Sequence, residues 1–234
     1  MQGKSSHRIQ FQVAEQLGVA VIPISKLKVA PSSSEFVAYE RQVFAEIRSR
    51  WRADELKDDP VFRSYRHLYW RFGMDPTKTR VSSEAVLRRV LGGQNLWRVN
   101  NVVDTINLAS AYTRIPISLI DLAATRGELV VRKAEAGETF SRIGGSNTVC
   151  QGTELVLADA EKIVCFGFAT HDSELTSVRP ETSDVLVVLY AAPAVTGEML
   201  AEAADLTRRM AVRWLTGEVG QCEFYTNTQV TAQN

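Results

Sequence analysis

Six consecutive residues, Ala169-Thr170-His171-Asp172-Ser173-Glu174, bring an imidazole, two carboxylates and two hydroxyls together just after an apolar run. Such groups can move a proton or position a water. His171 and Glu174 are candidate catalytic residues, and Ser173 is a candidate substrate contact. A solvated loop with an Asp or Ser cap would hold the same residues. A second polar group lies within the apolar stretch Arg98–Leu122: Asn100, Asn101, Asp104 and Asn107, with Ser118 beyond Pro116. Asparagine is a poor interior helix residue, so its clustering at a helix start points either to capping or to a binding site.

Other chemistries lack their motifs. There is no Gly-x-x-x-x-Gly-Lys-Ser/Thr phosphate loop and no Gly-x-Gly-x-x-Gly after a strand. No Gly-x-Ser-x-Gly elbow supports a serine nucleophile. With no His-Glu-x-x-His and no Cys/His cluster, neither a metal nor another cofactor is expected. Gly144-Gly145 reads as a turn, His7 as part of a frayed end, and His67 as a surface or packing residue.

Charge is unevenly spread over a chain whose net charge is zero. Residues 41–98 hold 13 basic and 7 acidic side chains, whereas 99–234 hold 10 basic and 17 acidic. A basic segment on a neutral protein suits a polyanion, although arginines on exposed helix faces are also simply solvated. Residues 61–72 interleave Phe62, Arg63, Tyr65, Arg66, Tyr69, Trp70, Arg71 and Phe72. Aromatic and arginine side chains in this pattern either stack bases and neutralise phosphates, or form a core with a solvated rim.

The elements that must position these groups follow from periodicity and caps. Leu17–Ile24 reads as a buried strand. A helix over 34–51 would turn Phe36, Val37, Phe44, Ile47 and Trp51 inward and Glu40, Arg41, Arg48 and Arg52 outward. Asp59 and Pro60 start a second helix that Gly73 ends. Ser82-Ser83-Glu84 starts a third, stopped by Gly92-Gly93. Asn100 or Asn101 caps a fourth, which Pro116 ends. The pattern then changes to strands at 117–120, 128–133, 154–158 and 162–168, with turns at Ala136-Gly137-Glu138 and Gly144–Asn147. Val185–Tyr190 is apolar throughout and reads as a central strand. A closing amphipathic helix, Gly197–Leu215, precedes a polar, mobile tail. The expected class is α+β, with a helical N-terminal half (34–92 its basic part) and a β-rich C-terminal half. The division is one compact domain over 1–217, with a tail over 218–234.

No apolar run reaches the roughly 18 residues a membrane span needs. The start of the chain shows no secretory h-region, and the odd count of three cysteines suits reduced thiols. A cytoplasmic protein without a membrane partner is expected.

The central segments also resemble a known family. Arg98-Val99-Asn100-Asn101-Val102-Val103-Asp104-Thr105-Ile106-Asn107 and Ile115-Pro116-Ile117-Ser118-Leu119-Ile120-Asp121-Leu122 are similar to the B3/B4 domain of the phenylalanyl-tRNA synthetase β subunit. Val131–Glu138, Glu154–Asp159 and Glu181–Leu186 continue the likeness in order, so it covers about residues 98–190. Upstream, Asp58-Asp59-Pro60 and Phe72–Arg80 look like the N-terminal part of freestanding B3/B4 proteins, which lack the rest of a synthetase and so do not aminoacylate.

The resemblance implies a B3/B4 fold, layered around a β-sandwich-like core. It further implies a site that hydrolyses the ester between a wrong amino acid and tRNA. His171, Glu174 and Asp104 would be catalytic, and Asn100, Asn101, Asn107, Ser118 and Ser173 would contact the aminoacyl end. Arg63, Arg66, Arg71, Lys78 and Arg80 would carry tRNA phosphates. The alternative is a non-catalytic module for an RNA end or an amino-acid-like molecule. No DNA partner is expected. Two positions depart from the synthetase pattern: Ile106 stands at a threonine and Ser118 at a histidine. The synthetase's glycine-rich loop before Ser173-Glu174 is replaced by Phe166–Asp172.

Overall fold

Side-chain caps start three of the four helices in the first half, all but α3. The computed structural model describes residues 8–145, 147–168 and 170–227; His7, Ser146, Ala169 and the tail from residue 228 lie outside them. Helix α1 (Ser34–Arg50) starts where Ser33 Oγ accepts the Phe36 N–H at 3.2 Å. The Asp59 carboxylate accepts the Val61 and Phe62 N–H groups to start α2 (Pro60–Arg71). Pro60 has no N–H to leave unpaired in that first turn. Helix α3 (Ser82–Leu91) runs to Gly92. Asn100 caps α4 (Asn101–Thr113) by accepting the Val103 N–H at 2.9 Å, and Thr196 caps α5 (Gly197–Trp214).

The strands, in chain order, are β1 (Ile9–Phe11), β2 (Gly18–Ser25), β3 (Ile117–Asp121), β4 (Leu129–Lys133), β5 (Ala136–Ser141) and β6 (Asn147–Gln151). Beyond them come β7 (Leu155–Ala158), β8 (Ile163–Phe166), β9 (His171–Asp172), β10 (Val185–Ala191), β11 (Glu218–Val219) and β12 (Glu223–Thr226). One sheet has the order β1-β4-β7-β8-β9, with β1 and β4 parallel. The other has the order β11-β2-β10-β3, with β12 also paired to β2. Its centre is β10, buried throughout between β2 and β3, as an all-apolar run requires.

The period of two explains how the first sheet is covered on both faces. Leu155 and Leu157 join the main core, which the helices share. Their neighbours Val156 and Ala158 point the other way, into a smaller core with Phe140 and Cys150 from the β5–β6 hairpin. The result is a mixed α+β domain, with its helices mainly in the first half and its sheets mainly in the second. Among the described residues no helix is long and apolar enough to cross a membrane.

Several expectations change. Glu40 is buried, because Arg98 reaches across to pair with it. Ala136–Glu138 lies within β5, and the extra length is absorbed by a register shift between Ala136 and Thr139. The His171 loop contains a short strand paired to β8. Part of the polar tail is ordered: Glu218–Val219 and Glu223–Thr226 satisfy backbone groups of β2.

Candidate functional site

Four strands converge on one polar group. Ser118 (β3) donates from Oγ to Cys165 Sγ (β8) at 3.3 Å. The Leu119 N–H donates to Asp172 Oδ2 (β9) at 3.2 Å. Cys165 and Asp172 face each other in the β8–β9 register. The Tyr190 ring (β10) packs edge-on against Phe168 at 4.8 Å. Its hydroxyl is fully buried beside the Cys165 and Ser118 side chains, yet forms no hydrogen bond of good geometry among the described residues. Phe168 holds φ at +50°, a strained conformation for an aromatic residue, directly after Gly167 at +70°. A Cβ on Gly167 would come within 2.6 Å of Thr170 Oγ1, so glycine is required at this tight approach.

The electrostatics of the group are unusual. Burial pushes the Asp172 carboxyl up to about 6, against the pull of Ser118, the Leu119 N–H and Cys165. Burial, with the Arg142 guanidinium alongside, pushes the His171 imidazole down to about 4. Arg142 Nη1 lies 3.4 Å from His171 Nε2, so a neutral imidazole accepts from it. Burial, then the nearby Cys165 and Asp172, raise the Tyr190 phenol well above its ordinary range, against the pull of Ser118. At neutral pH the site therefore holds a neutral imidazole, a carboxylate that still exchanges its proton, and an unpartnered phenol donor. Such a set can hold a water, take its proton and donate to a developing oxyanion.

The other sequence candidates take different places in the fold, some of them next to this group. Asp104 is 0% exposed and accepts from Ser32 Oγ at 2.6 Å, Arg98 Nη1 at 3.0 Å and the Val99 N–H at 2.9 Å. It is a structural anchor for the segments that carry Ser32, Arg98 and Val99. Asn100 is the α4 cap. Asn101 accepts from the Ala30 N–H and donates to the Lys28 carbonyl, holding the loop before α1. Ser173 is buried and caps the short turn Glu174–Thr176. Glu174 is exposed, 3.7 Å from Arg179. Asn107 is half-buried on α4. Among the basic candidates, Arg63, Arg71, Lys78 and Arg80 are exposed. Arg66 is not: it makes a bidentate pair with buried Glu84 and also donates to the Lys57 and Leu56 carbonyls.

Asp172, Cys165 and Tyr190 were not singled out as site residues from the sequence. The signal available for Asp172 was its place beside His171. Nothing local marked Tyr190, whose hydroxyl gains meaning only from the strand pairing. Among the described residues no group of three or more His, Cys, Asp or Glu side chains could hold a metal ion.

The family model of the B3/4 domain matches residues 64–211. The chain belongs to the B3/4 domain family. The matched segment contains every member of the Ser118–Asp172–Tyr190 group. Curated relatives of this B3/4 chain include the phenylalanine–tRNA ligase β subunit of Symbiobacterium thermophilum, 36% identical over 92 residues, or 38% of this chain and 10% of that protein. The same subunit of Vibrio vulnificus is 35% identical over 112 residues, or 47% of this chain and 13% of that protein. The B3/4 chain thus spans only about a tenth of the length of these relatives. An N-terminal fragment of the phenylalanyl-tRNA synthetase β subunit from Pyrococcus horikoshii aligns with 91% of this chain and 50% of its own, at a TM-score of 0.46 and 12% identity.

Proposed function

We propose that this B3/4 chain hydrolyses the ester between a wrongly attached amino acid and its tRNA. The observation that carries the reading is the convergence of Asp172, Ser118 and the unpartnered Tyr190 hydroxyl, from segments far apart in sequence. A buried donor without an acceptor is costly, on the order of 1–3 kcal/mol, and is retained where something else supplies the acceptor. An ester carbonyl oxygen is such an acceptor.

In this scheme Asp172 takes a proton from the attacking water, and its raised pKa makes it a better base than an ordinary carboxylate. His171 stays neutral and orients that water. Tyr190 donates to the oxyanion, and Ser118 and Asn107 contact the aminoacyl end. Glu174, exposed beside the site's outer edge, would meet the substrate's α-amino group. Arg63, Arg71, Lys78 and Arg80 would meet tRNA phosphates. The test is a panel of mischarged tRNAs. One of them should lose its amino acid faster with the protein than without it, and no acceleration across the panel would refute hydrolysis.

A non-catalytic module for an RNA end or an amino-acid-like molecule is the second reading. It is favoured by the commitment of Asp104, Asn100 and Asn101 to caps and loop anchors. It predicts saturable binding of uncharged tRNA or free amino acid without turnover.

A further inference from the structure

A cleft of about 430 Å³ lies among the C-terminal end of α2, the 76–81 segment and the start of α3. Four cationic side chains line it, Lys57, Arg66, Arg80 and Arg88, against one carboxylate, Glu84. Glu84 is 3% exposed and already shared, with Arg66 at 2.9 Å and Arg88 at 2.8 Å. Lys57 and Arg80 have no side-chain hydrogen bond or ion pair to any described residue. Trp70, 58% exposed, also lines this cleft. Surplus cations thus share a concave surface with an exposed indole.

A phosphate would satisfy the unpaired cations and a planar base would cover the indole; a nucleotide carries both. We propose that this cleft binds one nucleotide of a single-stranded RNA, its phosphate between Lys57 and Arg80 and its base stacked on Trp70. The choice of an RNA strand rests on the tRNA reading above, whereas the nucleotide chemistry rests on the cleft itself. Lys57 and Arg88 were not among the RNA contacts expected from the sequence. None of Ser118, His171, Asp172 and Tyr190 lines the cleft, although Tyr65 and Tyr69, which do, bond to the Tyr190 carbonyl and to Thr170 Oγ1.

The probe is a single-stranded RNA hexamer of adenylate, followed by intrinsic tryptophan fluorescence. Saturable quenching is expected from the wild-type protein. Trp70→Phe should remove most of the quench, and Trp70→Ala should weaken binding roughly ten-fold or more. Lys57→Gln with Arg80→Gln should weaken binding and make its salt dependence shallower by roughly one unit of log–log slope. Trp70 is exposed, so its variants should melt as the wild type does. A hexamer that fails to bind, or Trp70→Ala binding as tightly as wild type, overturns the proposal. Adenosine monophosphate binding as tightly as the hexamer overturns the assignment to a strand and leaves a free-nucleotide site. Deacylation of mischarged tRNA with unaltered Trp70→Ala affinity sinks the cleft and leaves the hydrolase standing. Loss of RNA binding in Trp70→Ala, with no deacylation by the wild type, does the reverse.

Discussion

The Leu119 N–H donates to Asp172 Oδ2 at 3.2 Å across a sequence separation of 53 residues. That bond ties the middle of β3 to a two-residue strand at the edge of the other sheet. It brings Ser118 beside a carboxyl whose proton affinity is raised by burial, next to an imidazole whose affinity is lowered.

The two shifts have opposite effects on stability. His171 falls from 6.5 to about 4, so between those values the unfolded chain binds the proton more readily, and stability rises with pH. Asp172 rises from 3.8 to about 6, so in that window the folded chain binds the proton more readily, and stability falls with pH. In the wild type the two largely cancel. His171→Gln should leave stability falling from pH 4 to 6, and Asp172→Asn should leave it rising from pH 4 to 6.5, each by on the order of 2 kcal/mol. Urea midpoints measured across this range check the signs. Parallel curves for the two variants would contradict the assigned shifts.

Removing the Tyr190 hydroxyl should separate stability from function. Tyr190→Phe deletes a buried group with no partner, so it should be neutral or stabilising by about 1 kcal/mol. The same change should slow deacylation at least ten-fold if the phenol serves the oxyanion. Thermal melting and single-turnover hydrolysis, run side by side, decide this. A destabilised protein with unchanged turnover would show that the hydroxyl has an acceptor within the fold.

Asp104 should behave as a structural residue. Its carboxylate and that of Glu40 flank Arg98. Asp104→Ala would leave Arg98, Ser32 and the Val99 N–H short of an acceptor, at a cost on the order of 3 kcal/mol. Urea denaturation is the measurement. A variant that kept its stability but lost turnover would return Asp104 to the site.

The basic residues should divide into two groups. Arg66→Ala breaks a pair with buried Glu84 and should destabilise by on the order of 3 kcal/mol. Arg63→Ala removes an exposed side chain with no such pair, and should change stability by less than about 0.5 kcal/mol. Only the second substitution should weaken tRNA binding without a fall in melting temperature. Filter binding at two salt concentrations, with melting curves, tests the division.

Most helices were legible because they begin on a local signal, such as Asp59 with Pro60, or Asn100 three residues before the N–H it caps; α3, which follows Val81 without a side-chain cap, is the exception. β10 was legible because a strand buried on both faces must be apolar along its length. The short strands were not. β1 and β9 have only three and two residues, too few to show a period, and exist by pairing with distant partners. The polar β12 is a strand because β2 offers it backbone groups. In the site, the Asn–Asp cluster could not be resolved locally between capping and binding. The decision came from Ser32, Arg98, Ala30 and Lys28, which reach that cluster only in the folded chain. The converse holds for Tyr190, which looks like one more core aromatic until its hydroxyl is found unpartnered beside Asp172.

The central claim is that Asp172 acts as the base for ester hydrolysis, and the pH profile of deacylation tests it most directly. With the mischarged tRNA that the panel identifies, the rate should rise between pH 5 and 7 with a midpoint near 6, following the Asp172 carboxyl. Asp172→Asn should abolish that rise and lower the rate at pH 7 by roughly 100-fold or more. An Asp172→Asn protein with the wild-type rate and profile would contradict the account.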